Sequence, residues 1–169
     1  MRRWIAIATA FASVFLAACG FQLRGAISLP FSTLYINLPE TSDVRAAIKR
    51  GVEANGETRV IDNPKEAQAL LTVIADTPEK KILSYSASGR VREYQLVRTF
   101  TFRVHDIGGR DYLPLSTMKI TRDISFNDSQ VLAKESEEAL LQRDMQTDLI
   151  RQLLRRLAAA KAPTDTGNE

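Results

Sequence analysis

The chain of 169 residues has one cysteine, one histidine and one tryptophan. A lone cysteine forbids an intrachain disulfide and a thiolate cluster for a structural metal, so the fold must rest on its apolar core. A lone histidine, His105, leaves little for acid–base or metal chemistry near neutral pH. Glycine is sparse, and neither G-x-G-x-x-G nor a Walker-type phosphate loop occurs. A G-x-S-x-G nucleophile elbow is missing too: Ser86-Ala87-Ser88-Gly89 lacks the leading glycine and the strand-to-helix setting. Glu135, Glu137 and Glu138 read as the acidic opening of a helix, not as a catalytic carboxylate pair. The residues therefore point away from an enzyme and toward a binding protein.

No apolar run reaches the roughly 20 residues that a membrane-spanning helix needs. The run that does exist lies at the N-terminus. Met1-Arg2-Arg3 is a short positive region, Trp4 to Leu16 is apolar, and Leu16-Ala17-Ala18-Cys19 follows. A secretory signal ends in an A-x-A-like site; a bacterial lipoprotein signal ends in leucine, two small residues and a cysteine that becomes the lipidated first residue. Residues 1–18 match the lipoprotein type, with Cys19 as the lipidation site. Gly20 stands where an aspartate would favour inner-membrane retention, which points to the outer membrane with the domain on its periplasmic side. Several acyl chains on one cysteine make a stable anchor in the inner leaflet of that membrane.

Loss of residues 1–18 leaves 151 residues with 21 basic and 20 acidic side chains, enough for one domain and close to neutral. Nothing in that balance points to nucleic acid. Charge is uneven, however. Residues 80–122 carry 9 basic and 3 acidic side chains, between flanks that are mildly acidic. Such a block is either a solvated face or a surface for phosphates and carboxylates, which arginine and lysine bind through charge-assisted hydrogen bonds.

Residues 19–32 read as a lipidated N-terminus with a short tether, residues 33–160 as one domain, and residues 161–169 as a disordered tail. Leu34 to Leu38 alternates between prolines and predicts a strand; Asp43 to Ala54 repeats apolar residues at helical spacing, stopped by Asn55-Gly56. Ala69 to Ala75 is apolar enough for a central strand covered on much of both faces, with a resumption after Pro78 at Lys81 to Tyr85. Ser86 to Arg90 reads as a hairpin tip. Tyr94, Leu96, Phe100, Phe102 and Val104 share one parity of the clearest strand, interrupted by Arg98. Gly108 to Asp111 is a turn, and Thr117 to Phe126 alternates again. Asn127-Asp128-Ser129 matches a glycosylation sequon and is better read as a helix cap. Leu141, Met145, Leu149, Leu153 and Leu157 form a helical stripe within about Ser136 to Ala159. The order β-α-β-β-β-α predicts an α+β two-layer sandwich, a mixed four-stranded sheet with two helices on one face.

Cys19 through Gly25, Glu93-Tyr94-Gln95-Leu96, Arg110 through Pro114, Phe126-Asn127-Asp128 and Leu132-Ala133-Lys134-Glu135 together resemble the LPS-assembly lipoproteins of the LptE family, in the order that family shows. The resemblance covers about Cys19 to Leu157 and implies the fold just described. It also implies a one-to-one complex with LptD, an outer-membrane β-barrel whose lumen the lipoprotein plugs and whose assembly it assists. Delivery of lipopolysaccharide to the outer leaflet follows, with lipopolysaccharide bound through basic residues. The family's lysine in Leu-Ala-Lys-Glu matches Lys134. At the hairpin tip Ala87 stands near where relatives carry a basic residue, and Arg90 and Arg92 follow a few positions later. Arg110 and Tyr112 are the expected partner contacts. No cofactor is implied beyond the covalent lipid on Cys19. The alternative is an accessory lipoprotein, chaperone or transporter auxiliary, of another envelope complex.

Overall fold

A computed structural model describes residues 28–54 and 56–163. The expected signal, Cys19, most of the tether, Asn55 and the last six residues of the tail lie outside them. Five strands form one sheet: β1 (Thr33–Asn37), β2 (Arg59–Val60), β3 (Ala69–Tyr85), β4 (Val91–His105) and β5 (Asp111–Ser125). Two α-helices, α1 (Asp43–Glu53) and α2 (Val131–Ala158), complete the layer above it. The strand order is β2-β1-β3-β4-β5, with β1 parallel to β2 and β3 and the remaining pairs antiparallel.

The mixed sheet and its paired helices match the expected class, with one strand more. β2 has only two residues, paired through Thr33↔Arg59 and Leu34↔Val60, too few for an alternation to be read. β3 is longer than expected and runs straight through Pro78. Beyond Thr72 it has β4 as its only neighbour among the described residues, and an open edge tolerates a residue without an N–H.

Burial is largely one-sided, Val97 being the enclosed exception on the open face of β4. Leu34, Ile36, Ala69, Leu71, Phe100, Phe102 and Met118 face the helices and are essentially inaccessible, whereas Leu70 and Thr72 on the opposite parity are half-buried. The expected two-sided cover of Ala69 to Ala75 is therefore not found. A register shift between Val73 and Ala75 makes Ile74 a bulged, exposed residue. Before it, odd positions face the core; after it, Asp76, Pro78, Lys80 and Ile82 sit opposite Phe100, Arg98, Leu96 and Tyr94 on the helix side.

Ser42 caps α1 by accepting a hydrogen bond from the Arg45 amide, and Val44, Ile48 and Val52 turn down onto the sheet. α2 buries Met145, Leu149, Leu153 and Leu157 at i, i+4 spacing; each such burial is worth about 1.5–3 kcal/mol. Its first turns lie outside that stripe, with Leu132 79% exposed, so the helix starts earlier than the apolar period announces. At Gly51 α1 comes so close to α2 that a β-carbon there would stand 2.6 Å from Leu154 Cδ1. Leu29 and Phe31, expected within the tether, are buried members of the core.

Arg98, which interrupts the apolar parity of β4, lies under α2. It donates from Nε and Nη2 to the two Asp76 oxygens at 2.8 Å each and from Nη1 to Gln146 Oε1 at 3.3 Å. Asp76→Ala leaves this guanidinium enclosed and unpaired, and should lower stability by about 2–3 kcal/mol in urea unfolding, somewhat less than for a fully buried pair. Arg98→Met with Asp76→Leu should regain most of that loss.

Candidate functional site

The basic segment does not form one surface. Arg98 is held by Asp76 and Arg122 by Asp148 on the helix side; Arg103 and Arg110 bind Asp111 and Asp106 at the β4–β5 end. Lys119 is exposed on the opposite, open face of the sheet. What remains gathers at the β3–β4 end, and there it meets the start of α2.

The hairpin tip is closed by Ser86 N donating to Arg90 O at 2.7 Å and by Gly89 at φ 78°, a conformation that favours glycine. Arg90 and Arg92 border a shallow hollow of about 390 Å³ with Ser86, Ser88, Phe126 and Asn127. Phe126 also lines a second hollow of about 180 Å³, beneath the first turns of α2, with Lys80, Tyr94, Ile124, Val131 and Lys134. The ring of Phe126 meets that of Tyr94 edge-to-face at 5.4 Å. Lys134 Nζ donates to Ser125 Oγ at 2.9 Å and to Glu137 at 2.8 Å, its side chain only 16% exposed. Lys80 Nζ lies 4.4 Å over the Tyr94 ring and 2.6 Å from Glu138.

Lys134, Arg90 and Arg92, far apart in sequence, thus flank one aromatic residue. Around them stand exposed apolar side chains: Leu83, Tyr85, Val131 and Leu132. Cations beside apolar side chains suit an amphipathic anion. Tyr94 and Phe126 are the members that charge patterning overlooked. Both sit in the motifs Glu93-Tyr94-Gln95-Leu96 and Phe126-Asn127-Asp128, so the signal for them was the resemblance and not the charge.

Arg110 and Tyr112 lie at the other end of β4, roughly 45 Å away at about 3.3 Å per strand residue. Arg110 donates from its amide and its Nε to Asp106, at 2.8 and 2.7 Å, around the turn that Gly109 makes at φ 84°. Tyr112 packs edge-on against Phe31 with centroids 5.4 Å apart. His105 has both ring nitrogens engaged, Nδ1 with the Asp106 carbonyl at 2.7 Å and Nε2 with Thr72 Oγ1 at 3.1 Å. No cluster of three metal-ligating side chains occurs among the described residues.

A one-sided α+β sheet ending in a cationic, partly apolar tip defines a binding domain. Residues 31–157 match the family model for LptE, lipopolysaccharide-assembly. LPS-assembly lipoprotein LptE of Yersinia enterocolitica is 31% identical over 150 residues, 86% of this chain and 71% of the relative. The LptE of Pectobacterium atrosepticum is 26% identical over 156 residues, covering 90% and 83% of the two chains. Among solved structures, lipoprotein B from Nitrosomonas europaea superposes with a TM-score of 0.72 at 35% identity, over 83% of this chain and 91% of the other. A minor lipoprotein from Acinetobacter baumannii gives 0.64 at 26% identity, over 80% and 100%. The chain belongs to the LptE family of lipopolysaccharide-assembly lipoproteins.

The Asp106 turn offers a measurable signature. The Arg110 amide first, and then its guanidinium, hold the Asp106 carboxyl below its ordinary value of 3.8. A depressed carboxyl contributes stability that is complete above its unfolded pKa and lost as pH falls through the folded one. Asp106→Asn should therefore flatten the acid limb: its urea midpoint should fall less than the parent's between roughly pH 5 and pH 2.5.

Proposed function

We infer that this protein is an outer-membrane lipoprotein, anchored through Cys19, that joins an LptD-type β-barrel as a heterodimer. It plugs the barrel lumen, assists its assembly and binds lipopolysaccharide on its way to the outer leaflet. The observation that carries the reading is the convergence of Lys134 with Arg90 and Arg92 around Phe126. Lipopolysaccharide offers phosphates and carboxylates to the cations and acyl chains to Leu83, Tyr85 and Leu132.

The dimensions support the same reading. Phe31, near the first described residue, packs on Tyr112 at one end of the long strands, and the cationic tip is at the other. That separation, roughly 45 Å, is comparable to a bilayer with its headgroups, about 40–45 Å. A domain anchored in one leaflet and standing along a barrel axis would carry its tip to the level of the other. The open face of the sheet is rich in hydroxyls, including the Thr101–Thr117 pair at 3.0 Å, and suits a polar lumen. Arg110 and Tyr112, at the anchored end, are the proposed partner contacts.

Lys134→Asp combined with Arg90→Asp should weaken lipopolysaccharide binding by at least about tenfold, with the circular dichroism unchanged and the loss mimicked by added salt. Unaltered binding removes these residues from the site. Affinity purification from outer membranes should bring down an LptD-type barrel in one-to-one ratio. Cys19→Ser should release the domain from the membrane while retaining its fold and much of the barrel complex; a transporter complex in place of the barrel would overturn the reading.

A further inference from the structure

Apart from the tip, the helix layer carries a groove with unassigned charge. α1 and α2 touch at Gly51 and Leu154 and part toward the start of α1. The opening, about 440 Å³, has Ala46, Ala47 and Ile150 among its lining, with Arg50, Arg143 and Arg151 around them. Elsewhere this fold pairs many of its arginines: Arg45, Arg98, Arg103, Arg110 and Arg122 each bind an aspartate. The guanidiniums of Arg50 and Arg143 have no hydrogen bond or ion pair among the described residues; their main-chain carbonyls are engaged, by the Ala54 amide and the Thr147 hydroxyl. Among the described residues the Arg151 guanidinium reaches only Asp148, at 3.7 Å, a carboxylate already held by Arg122. Small residues between two helices leave room for another chain, and guanidiniums that fold-internal carboxylates do not occupy are available to external ones.

We propose that the groove between α1 and α2 docks an extended acidic segment of a partner protein. The segment's carboxylates bind Arg50, Arg143 and Arg151, and a small apolar residue rests on Ala46 and Ala47. A lipid surface fits less well. The exposed apolar residues that would enter lipid, Leu83, Tyr85 and Leu132, are at the tip. Asp43 in the groove lining and exposed Asp144 nearby would repel a uniformly anionic surface. A peptide, with discrete charges and free amides, can place an N–H beside Asp43.

The test uses the mature lipoprotein in detergent micelles and a fluorescein-labelled peptide alternating aspartate, glutamate, glycine and leucine. Binding should saturate at one-to-one and fall at least about tenfold in Arg50→Glu/Arg143→Glu, because charge-assisted hydrogen bonds are lost. Ala46→Leu, which fills the floor without changing charge, should weaken it as well. Arg155→Glu/Arg156→Glu, an equal charge change at the end of α2, should leave it within about twofold. Circular dichroism checks that each variant folds. Equal losses in both arginine pairs would reduce the effect to general charge and overturn the proposal. So would full binding by Ala46→Leu, or a groove that takes phosphatidylglycerol vesicles and not the peptide. In cells, a photocrosslinking residue at position 147 should yield one discrete protein adduct that Arg50→Glu/Arg143→Glu abolishes; no adduct would equally overturn it. Neither readout depends on lipopolysaccharide or on the tip.

Discussion

The bidentate pair between Arg98 and Asp76 decides how the long half of the sheet is used. It requires both side chains on the helix side, yet the first part of β3 points its odd residues there. The bulge at Ile74 resolves the conflict by switching parity, so that Asp76 arrives beneath α2 opposite the start of the Arg98 stripe. Without the extra residue, Asp76 would face solvent and Arg98 would be enclosed with Gln146 as its only partner. The pair therefore ties β3, β4 and α2 together at the point where the apolar core thins. From there outward the core narrows to Leu96 and Ile124, and Lys80, Tyr94 and Lys134 stand beside them.

Because the core narrows beyond Arg98, the two ends of the domain differ in chemistry. At the β4–β5 end, charge is consumed internally: Asp106 with Arg110, Asp111 with Arg103, and Tyr112 against Phe31. At the β3–β4 end, the cations stand among exposed apolar side chains. Lys134 and Lys80 do have carboxylate neighbours, Glu137 and Glu138. Such partly exposed pairs contribute modestly to stability. In the proposed function, such a tip would exchange an internal carboxylate for an external phosphate without loss of fold.

Much of the architecture was legible because it rests on period. β4 and the C-terminal part of α2 show clean spacing of 2 and 3.6, and both lie where one face is buried. The features that escaped carry no period. β2 is two residues long. The bulge at Ile74 merges two parities into one apparently continuous apolar run, which imitates a strand covered on both faces. The opening of α2 is helical with Leu132 and Leu140 outward, so apolar spacing there does not report burial. For the site, charge counting found the basic segment but not its division, since parity, not composition, sends Arg98 and Arg122 under the helix and Lys119 to the open face. Only the motifs linked Lys134 to the hairpin tip, across more than forty residues of sequence.

The lone cysteine frames what the domain must do unaided. With no disulfide available, rigidity over a length of roughly 45 Å has to come from continuous strands. β3, β4 and β5, of 17, 15 and 15 residues, exceed the usual strand of about 5–6. Long strands leave long edges, which invite pairing with other chains. Pro78 beside Lys80 and Lys81 on β3, and Pro114 and Lys119 on β5, are residues that blunt such edges. The same rods that hold the tip away from the Phe31–Tyr112 end are thus kept from recruiting strands of their own. For a domain proposed to stand within a wall of β-strands, that is a requirement: a polar lumen can then enclose the sheet without the barrel's strands adding to it.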